Sequence, residues 1–250
     1  MQKSLLIIVA CIGFGLSLLA HLPAQLVFPK NLGKFQFLGI GGSVWQGEIK
    51  QILFAGKALP IRNLSWSVNP LALITGTLKA DFHEQQTPIN RGNMELKLLS
   101  RQVELHAVHW QLPIGSLDPW IQLQGMRAEG RLVLDLQTLQ LPPNTFFPSQ
   151  LEGRLDWQNA GMLIGSETWR IGSPVMQLSN EGDAIKGLVT NSQPTLPGDS
   201  SFQCTINGCQ VTLSLQPTPD APQAVLNGLM LMGLQQTGDK FSGQITLPLE

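Results

Sequence analysis

Runs in which every second residue is apolar recur along most of this chain, broken by glycine, proline, asparagine and aspartate. Arg131–Leu136 sets Leu132, Leu134 and Leu136 on one side. Val211, Leu213 and Leu215 alternate with Thr212 and Ser214, and Phe241, Gly243, Ile245, Leu247 and Leu249 form the last such series. Strand side chains point to opposite faces with period two, so this pattern specifies strands with one apolar and one polar face. That is the grammar of an antiparallel sheet with one wet side. Two segments, Ala128–Leu136 and Leu151–Asn159, share Glu-Gly-Arg-Leu, and Gly47, Gly76, Gly187 and Gly243 all stand near the start of such a run. A unit of about 25–30 residues laid down repeatedly predicts an elongated, meandering sheet, curled or groove-like. The fold class read here is mainly β: an N-terminal transmembrane helix, then an elongated antiparallel sheet with one or two short helices.

One interruption is specific. In Leu64–Asp81, Leu64, Trp66 and Val68 alternate with serines, then Asn69-Pro70 leads into Leu71–Ile74 and Gly76 follows. Asn69 suits a cap, Pro70 the first turn and Gly76 a left-handed stop. The reading is one helical turn that joins two strands and covers the sheet's edge or end. Beyond it Leu78, Ala80 and Phe82 face one side and Thr77, Lys79 and Asp81 the other. A second helix is predicted near 221–232, from Asp220-Ala221-Pro222 and the spacing of Val225, Leu226, Leu229, Met230 and Met232. It is read as plugging an open end of the sheet.

The N-terminus is apolar from Leu5 to Leu22, with His21 the one strongly polar residue. This is close to the ~20 residues that span a bilayer core. Three readings compete. A cleaved signal wants a shorter apolar core and small residues at the cleavage site, where this chain has leucines. Ile8-Val9-Ala10-Cys11 fits a lipobox loosely, but the apolar run continues far beyond Cys11. The reading adopted is an uncleaved anchor made by Leu5, Leu6, Ile7, Ile8, Val9, Ile12, Phe14, Leu16, Leu18 and Leu19. Residues 1–24 are then tail and anchor, and 25–250 an exported β-rich domain. Lys30 and Lys34, just past the span, oppose the positive-inside preference. Gly13 and Ser17 have the spacing of a close helix–helix contact.

Chemistry is sparse. Charged residues are 13% of the chain, the formal net charge is −1, and lysines and arginines are scattered. A nucleic-acid surface would need a basic stripe, so nucleic acid is excluded as a partner. His106 and His109 are three apart on a strand, which sends them to opposite faces and argues against a metal site. Gly39–Val44 resembles a dinucleotide loop, but Val44 occupies the last glycine position. Asp118 reads as a turn initiator, and Asp135 and Asp156 as solvated face residues. No catalytic, cofactor or metal residues are assigned, and the chain is read as no enzyme. Trp45, Trp66, Trp110, Trp120, Trp157 and Trp169 are read as core filling. Cys204 and Cys209 flank Thr205–Gly208. If those residues form the loop, the cysteines oppose one another and bond easily. If the turn is Asn207-Gly208 alone, Cys209 opposes Ile206 and the bridge is harder; in an exported domain a Cys204–Cys209 disulfide is the expectation, pinning a hairpin and doing no chemistry.

The elements Gly42-Ser43-Val44-Trp45-x-Gly47 and Trp66-x-x-x-Pro70-x-x-Leu73-x-x-Gly76, in this order after an apolar N-terminus, resemble the type II secretion system protein N family. The close likeness covers roughly residues 1–82. It implies a single-span bacterial inner-membrane protein with its bulk in the periplasm, accessory to the machine that secretes folded proteins. Its partners would be other subunits of that system and the inner membrane, with no catalytic residue to carry over. Trp45, Gly47, Trp66, Pro70, Leu73 and Gly76 read as structural. The strand grammar also looks like AsmA-type and lipopolysaccharide-transport proteins, which implies lipid as an alternative partner in an open groove.

Overall fold

The computed structural model describes residues 17–18, 21–119, 126–143, 145, 147–164, 166–191, 198, 200–219, 221–231 and 233–247. The anchor residues Leu5 to Leu16 and Leu19, and also Trp120, Asp220 and Met232, lie outside this set. Among the described residues no helix is long and apolar enough to cross a membrane. The chain divides into two compact units, Met1–Leu98 and Leu99–Glu250.

In the first unit a short helix, α1 (Ala24–Val27), precedes the strands. Six strands follow: β1 (Asn31–Leu32), β2 (Phe35–Gly42), β3 (Gln46–Phe54), β4 (Lys57–Asn69), β5 (Thr77–Glu84) and β6 (Arg91–Lys97). Each pairs antiparallel with its neighbour in sequence. The alternation in the sequence does what it predicts. Trp66, Phe82 and Gly92 stand in one cross-strand row, Val68, Ala80 and Met94 in the next, and Ser67, Asp81 and Asn93 between them. The core gathers Ala24, Ile40, Ile49 and Ile52, with Phe35, Phe37, Leu59, Ile61, Leu64 and Trp66 packed against them. At the far end of β5, buried Glu84 accepts hydrogen bonds from the Arg62 N–H at 3.0 Å and from buried Asn90 Nδ2 at 2.7 Å. This carboxylate ties the β5–β6 loop to β4.

The outer edge of β2 is covered by the chain that precedes it. Pro23 bridges Ser43, Val44 N–H donates to the Leu22 carbonyl at 3.0 Å, and Gln25 Nε2 donates to the Ile40 carbonyl at 2.8 Å. Covering an edge in this way satisfies groups that would otherwise template another strand.

The second unit holds β7 (Gln102–Pro113), β8 (Met126–Leu141), β9 (Gln150–Ile164), β10 (Glu167–Gly172), β11 (Pro174–Glu181) and β12 (Ala184–Asn191). It continues with β13 (Ser200–Thr205), β14 (Gly208–Leu215), helix α2 (Gln223–Leu231), β15 (Gln235–Thr237) and β16 (Lys240–Leu247). Their order is β7-β8-β9-β11-β12-β13-β14-β16-β15, with β10 also pairing with β9. Among the described residues β15 pairs with β16 alone, which leaves it an edge strand. Helix α2 packs Val225 and Leu229 against Leu234 and Phe241, with Trp169, Leu213 and Leu215 around them. It thus packs against apolar side chains of β10, β14 and β16.

One expectation fails. Ala107 in β7 has φ 48°, and the pairing passes from His106↔Thr138 to Val108↔Leu136. In β8 the register to β9 passes from Leu136↔Gly153 to Thr138↔Glu152, so Gln137 is an inserted residue. These irregularities lie side by side and shift the phase of both strands together. Thr138 opposes Glu152 and Asp135 opposes Arg154, two residues apart on β9 and hence on one face. His106 and His109, their β7 partners, share that face instead of opposing each other. The bulge also keeps Val108, Trp110, Leu134 and Leu136 together on the apolar side.

Candidate functional site

The two motif segments meet. Gly47 in β3 is the cross-strand partner of Trp66 in β4, and Gly42 is the partner of Gly47 on its other side. The Trp66 ring lies across the glycine: a Cβ on Gly47 would stand 2.3 Å from Trp66 Cζ2 and 2.5 Å from the Gly41 carbonyl oxygen. An aromatic ring laid over a strand glycine shields backbone that lacks a side chain of its own. Trp66 Nε1 donates to the Val44 carbonyl at 3.2 Å, and its ring meets Phe28 at a centroid distance of 5.2 Å. Trp45 lies just before β3, and its carbonyl accepts from Val68 N–H at 2.7 Å. Ser43 Oγ closes the turn, accepting from the N–H groups of Trp45 at 3.3 Å and Gln46 at 3.2 Å.

Pro70–Thr75 form a 3-10 turn. Asn69 Oδ1 caps it by accepting from Leu71 N–H at 3.0 Å, and Gly76 at φ 73° ends it, its N–H donating to the Leu73 carbonyl at 3.0 Å. The turn buries Ala72 and half-buries Leu73 but leaves Leu71 70% and Ile74 83% exposed, so those two side chains do not cover the sheet. The physical reason is the 3-10 repeat, which eclipses residues three apart and sends Leu71 and Ile74 outward together. Leu98 N–H donates to the Gly76 carbonyl at 3.1 Å, which fastens the end of β6 beside this turn.

The polar face of the second unit carries a charged row. His109 Nδ1 bonds to Asp135, while its Nε2 lies 2.9 Å from Gln111 Nε2. His106 Nε2 lies 3.3 Å from buried Glu104. Arg154 Nε donates to Asp156, and that hydrogen bond, helped by the charge of Asp156, raises the guanidinium above its ordinary value. Both histidines now share a face, yet no group of three or more metal-ligating side chains assembles among the described residues. Cys204 and Cys209 are directly opposed, one pair in from Thr205↔Gly208, with their Cα atoms 4.0 Å apart and a disulfide between them. The turn is Ile206-Asn207, a third option beside the two weighed from the sequence. At its tip Ile206 is 66% exposed.

An open, mainly β antiparallel meander, with aromatic-on-glycine contacts and a capped turn at its signature positions, is the class these observations define. The family follows from comparison: the profile described as "Type II secretion system (T2SS), protein N" matches residues 35–242. The chain belongs to that family and is a component of the type II secretion system. It is 24% identical over 233 residues to "Type II secretion system protein N" of Vibrio cholerae serotype O1 (strain ATCC 39315 / El Tor Inaba N16961), covering 86% of this chain and 89% of that protein. No solved structure matches it. The matched span takes in Trp45, Gly47, Trp66, Pro70, Leu73, Gly76 and both cysteines of the disulfide.

Proposed function

We propose that this chain is a non-enzymatic accessory component of the type II secretion system, anchored in the bacterial inner membrane by residues 1–24. Residues 25–250 stand in the periplasm and act by contact with other subunits of the system, without a cofactor. The family match across residues 35–242 carries the reading. Two further observations support it. The run Leu5–Leu22 has the length and apolarity of a span. The Cys204–Cys209 disulfide suits an oxidising compartment.

In-cell photo-crosslinking tests it, with the crosslinker placed at exposed positions such as Leu188 and Ile206. Adducts with secretion subunits are the expected result. Lipid adducts alone would favour the groove reading instead, and normal secretion in a strain lacking the protein would overturn the assignment of an active role.

A further inference from the structure

The first unit has an apolar end that no described residue of the unit covers. Leu71 and Ile74 are 70% and 83% exposed on a turn held at both ends by Asn69 and Gly76. Leu98, also exposed, is tied to the same turn through Gly76. Loop tips usually carry small or polar residues, so large aliphatic side chains on a rigid turn need a partner.

The chain's own path says which partner. The β2–β3 turn lies at this same end, because Val68, next to the 3-10 turn, donates to the Trp45 carbonyl. The incoming chain reaches that turn: Val44 donates to Leu22, and Pro23 bridges Ser43. Leu22 is the last residue of the N-terminal apolar run, and Ala24, two positions on, is fully buried in the core. Two residues of extended chain span at most about 7 Å. With Leu5–Leu22 in the bilayer, as proposed above, no linker separates the span from the sheet, and this end must stand at the membrane surface. Neighbouring strands lie about 4.8 Å apart, so the β4–β5 turn falls within roughly 10 Å of the entry point.

We propose that the Leu71–Ile74 turn, with Leu98 beside it, docks into the interfacial layer of the bilayer and fixes the first unit upright on its anchor. The occupant of this apolar end is lipid. The capped turn holds Leu71 and Ile74 pointed away from the sheet, as wedges are held in a membrane interface. This inference rests on the anchor reading, and the experiment separates the two.

The full chain with Cys11→Ser is reconstituted into vesicles of phosphatidylethanolamine and phosphatidylglycerol at about 3:1, with and without brominated acyl chains. An environment-sensitive fluorophore is attached at Ile74→Cys, at Leu98→Cys, or at Gln86→Cys in the loop at the opposite end of β5. Expected are a blue-shifted emission and at least about threefold quenching by brominated lipid at 74 and 98, and an aqueous signal at 86. The double change Leu71→Ser/Ile74→Ser should abolish quenching at 98 while the chain still floats with the vesicles after alkaline washing. A chain that washes off overturns the anchor and the docking together. A chain that stays bound while the probe at 74 reads like the probe at 86 overturns the docking alone, and so does unchanged quenching at 98 in the double variant.

Discussion

Gly47→Ala is the sharpest probe of the first unit. The new Cβ would lie 2.3 and 2.6 Å from two Trp66 ring atoms and 2.5 Å from the Gly41 carbonyl oxygen, well inside van der Waals contact. Gly47 is hydrogen-bonded into a strand with partners on both sides, so its backbone cannot retreat. Either the ring stays and the sheet strains, which costs about 1–3 kcal/mol for overpacking. Or Trp66 swings out and exposes on the order of 80 Å² of apolar surface, about 2 kcal/mol at 25 cal/mol/Å². Both routes centre on about 2 kcal/mol. At a urea slope near 2 kcal/mol/M, the midpoint falls by about 1 M. Gly56→Ala is the comparator: it has φ 77° but nothing within 4 Å of the new Cβ. Left-handed strain of about 1–2 kcal/mol, offset by about 0.4–1 kcal/mol from the stiffer unfolded chain, leaves a net near 0.8 kcal/mol and should move its midpoint by about 0.4 M. The assay is pulse proteolysis of the full-length chain across a urea series in mild detergent. In a Trp66→Leu background, Gly47→Ala should cost at least about 1 kcal/mol less, the remainder being the clash with Gly41. Equal shifts for Gly47→Ala and Gly56→Ala, or no coupling to Trp66, would show that the glycine is not there to seat the ring.

Three other changes test separate parts of the fold. Replacing both Cys204 and Cys209 by serine opens a bridge of sequence separation 5 and should cost about 2 kcal/mol by loop entropy, read as a lowered urea midpoint without change in secondary structure. Asn90→Ala removes a donor from the buried Glu84 carboxylate and should cost about 1–3 kcal/mol, with proteolysis beginning in the β5–β6 loop; a stability within about 0.5 kcal/mol of the parent would refute that role. Leu229→Ala empties the contact between α2 and Phe241 and should cost about 2–4 kcal/mol, with hydrogen exchange rising first in α2 and β16.

Period-two alternation was legible wherever one face met solvent, because a one-residue slip would turn every side chain over. It placed Leu132, Leu134 and Leu136 together, and Leu78 with Ala80 and Phe82, on the faces where they lie. The capped turn at Asn69–Gly76 was legible because each residue has its own local reason to be there. The fate of its side chains was not: a helical turn and a 3-10 turn share caps but orient Leu71 and Ile74 differently. The histidines were misplaced because alanine, unlike glycine, does not advertise a positive φ, and nothing near Ala107 marks a bulge. The turn between the cysteines was read one residue off on one side or too long on the other, since Asn-Gly is so strong a hairpin signal. The seating of Trp66 on Gly47 joins residues from different strands, and only pairing reveals it. Two motif halves read as separate structural signatures are in fact one contact.

The matched irregularity at Ala107 and Gln137 behaves like a dislocation in a crystal. The extra residue in β8 is matched by one in β7 and by none in β9, so the line of the defect ends at β9, whose own alternation there runs on unbroken. Deleting Gln137 alone would leave Leu136 and Thr138 in their present register with β9 and would strand Ala107 of β7 with no residue opposite it. Length changes in these long strands must therefore arise in pairs or fall at the hairpin tips, and drift among relatives should concentrate there.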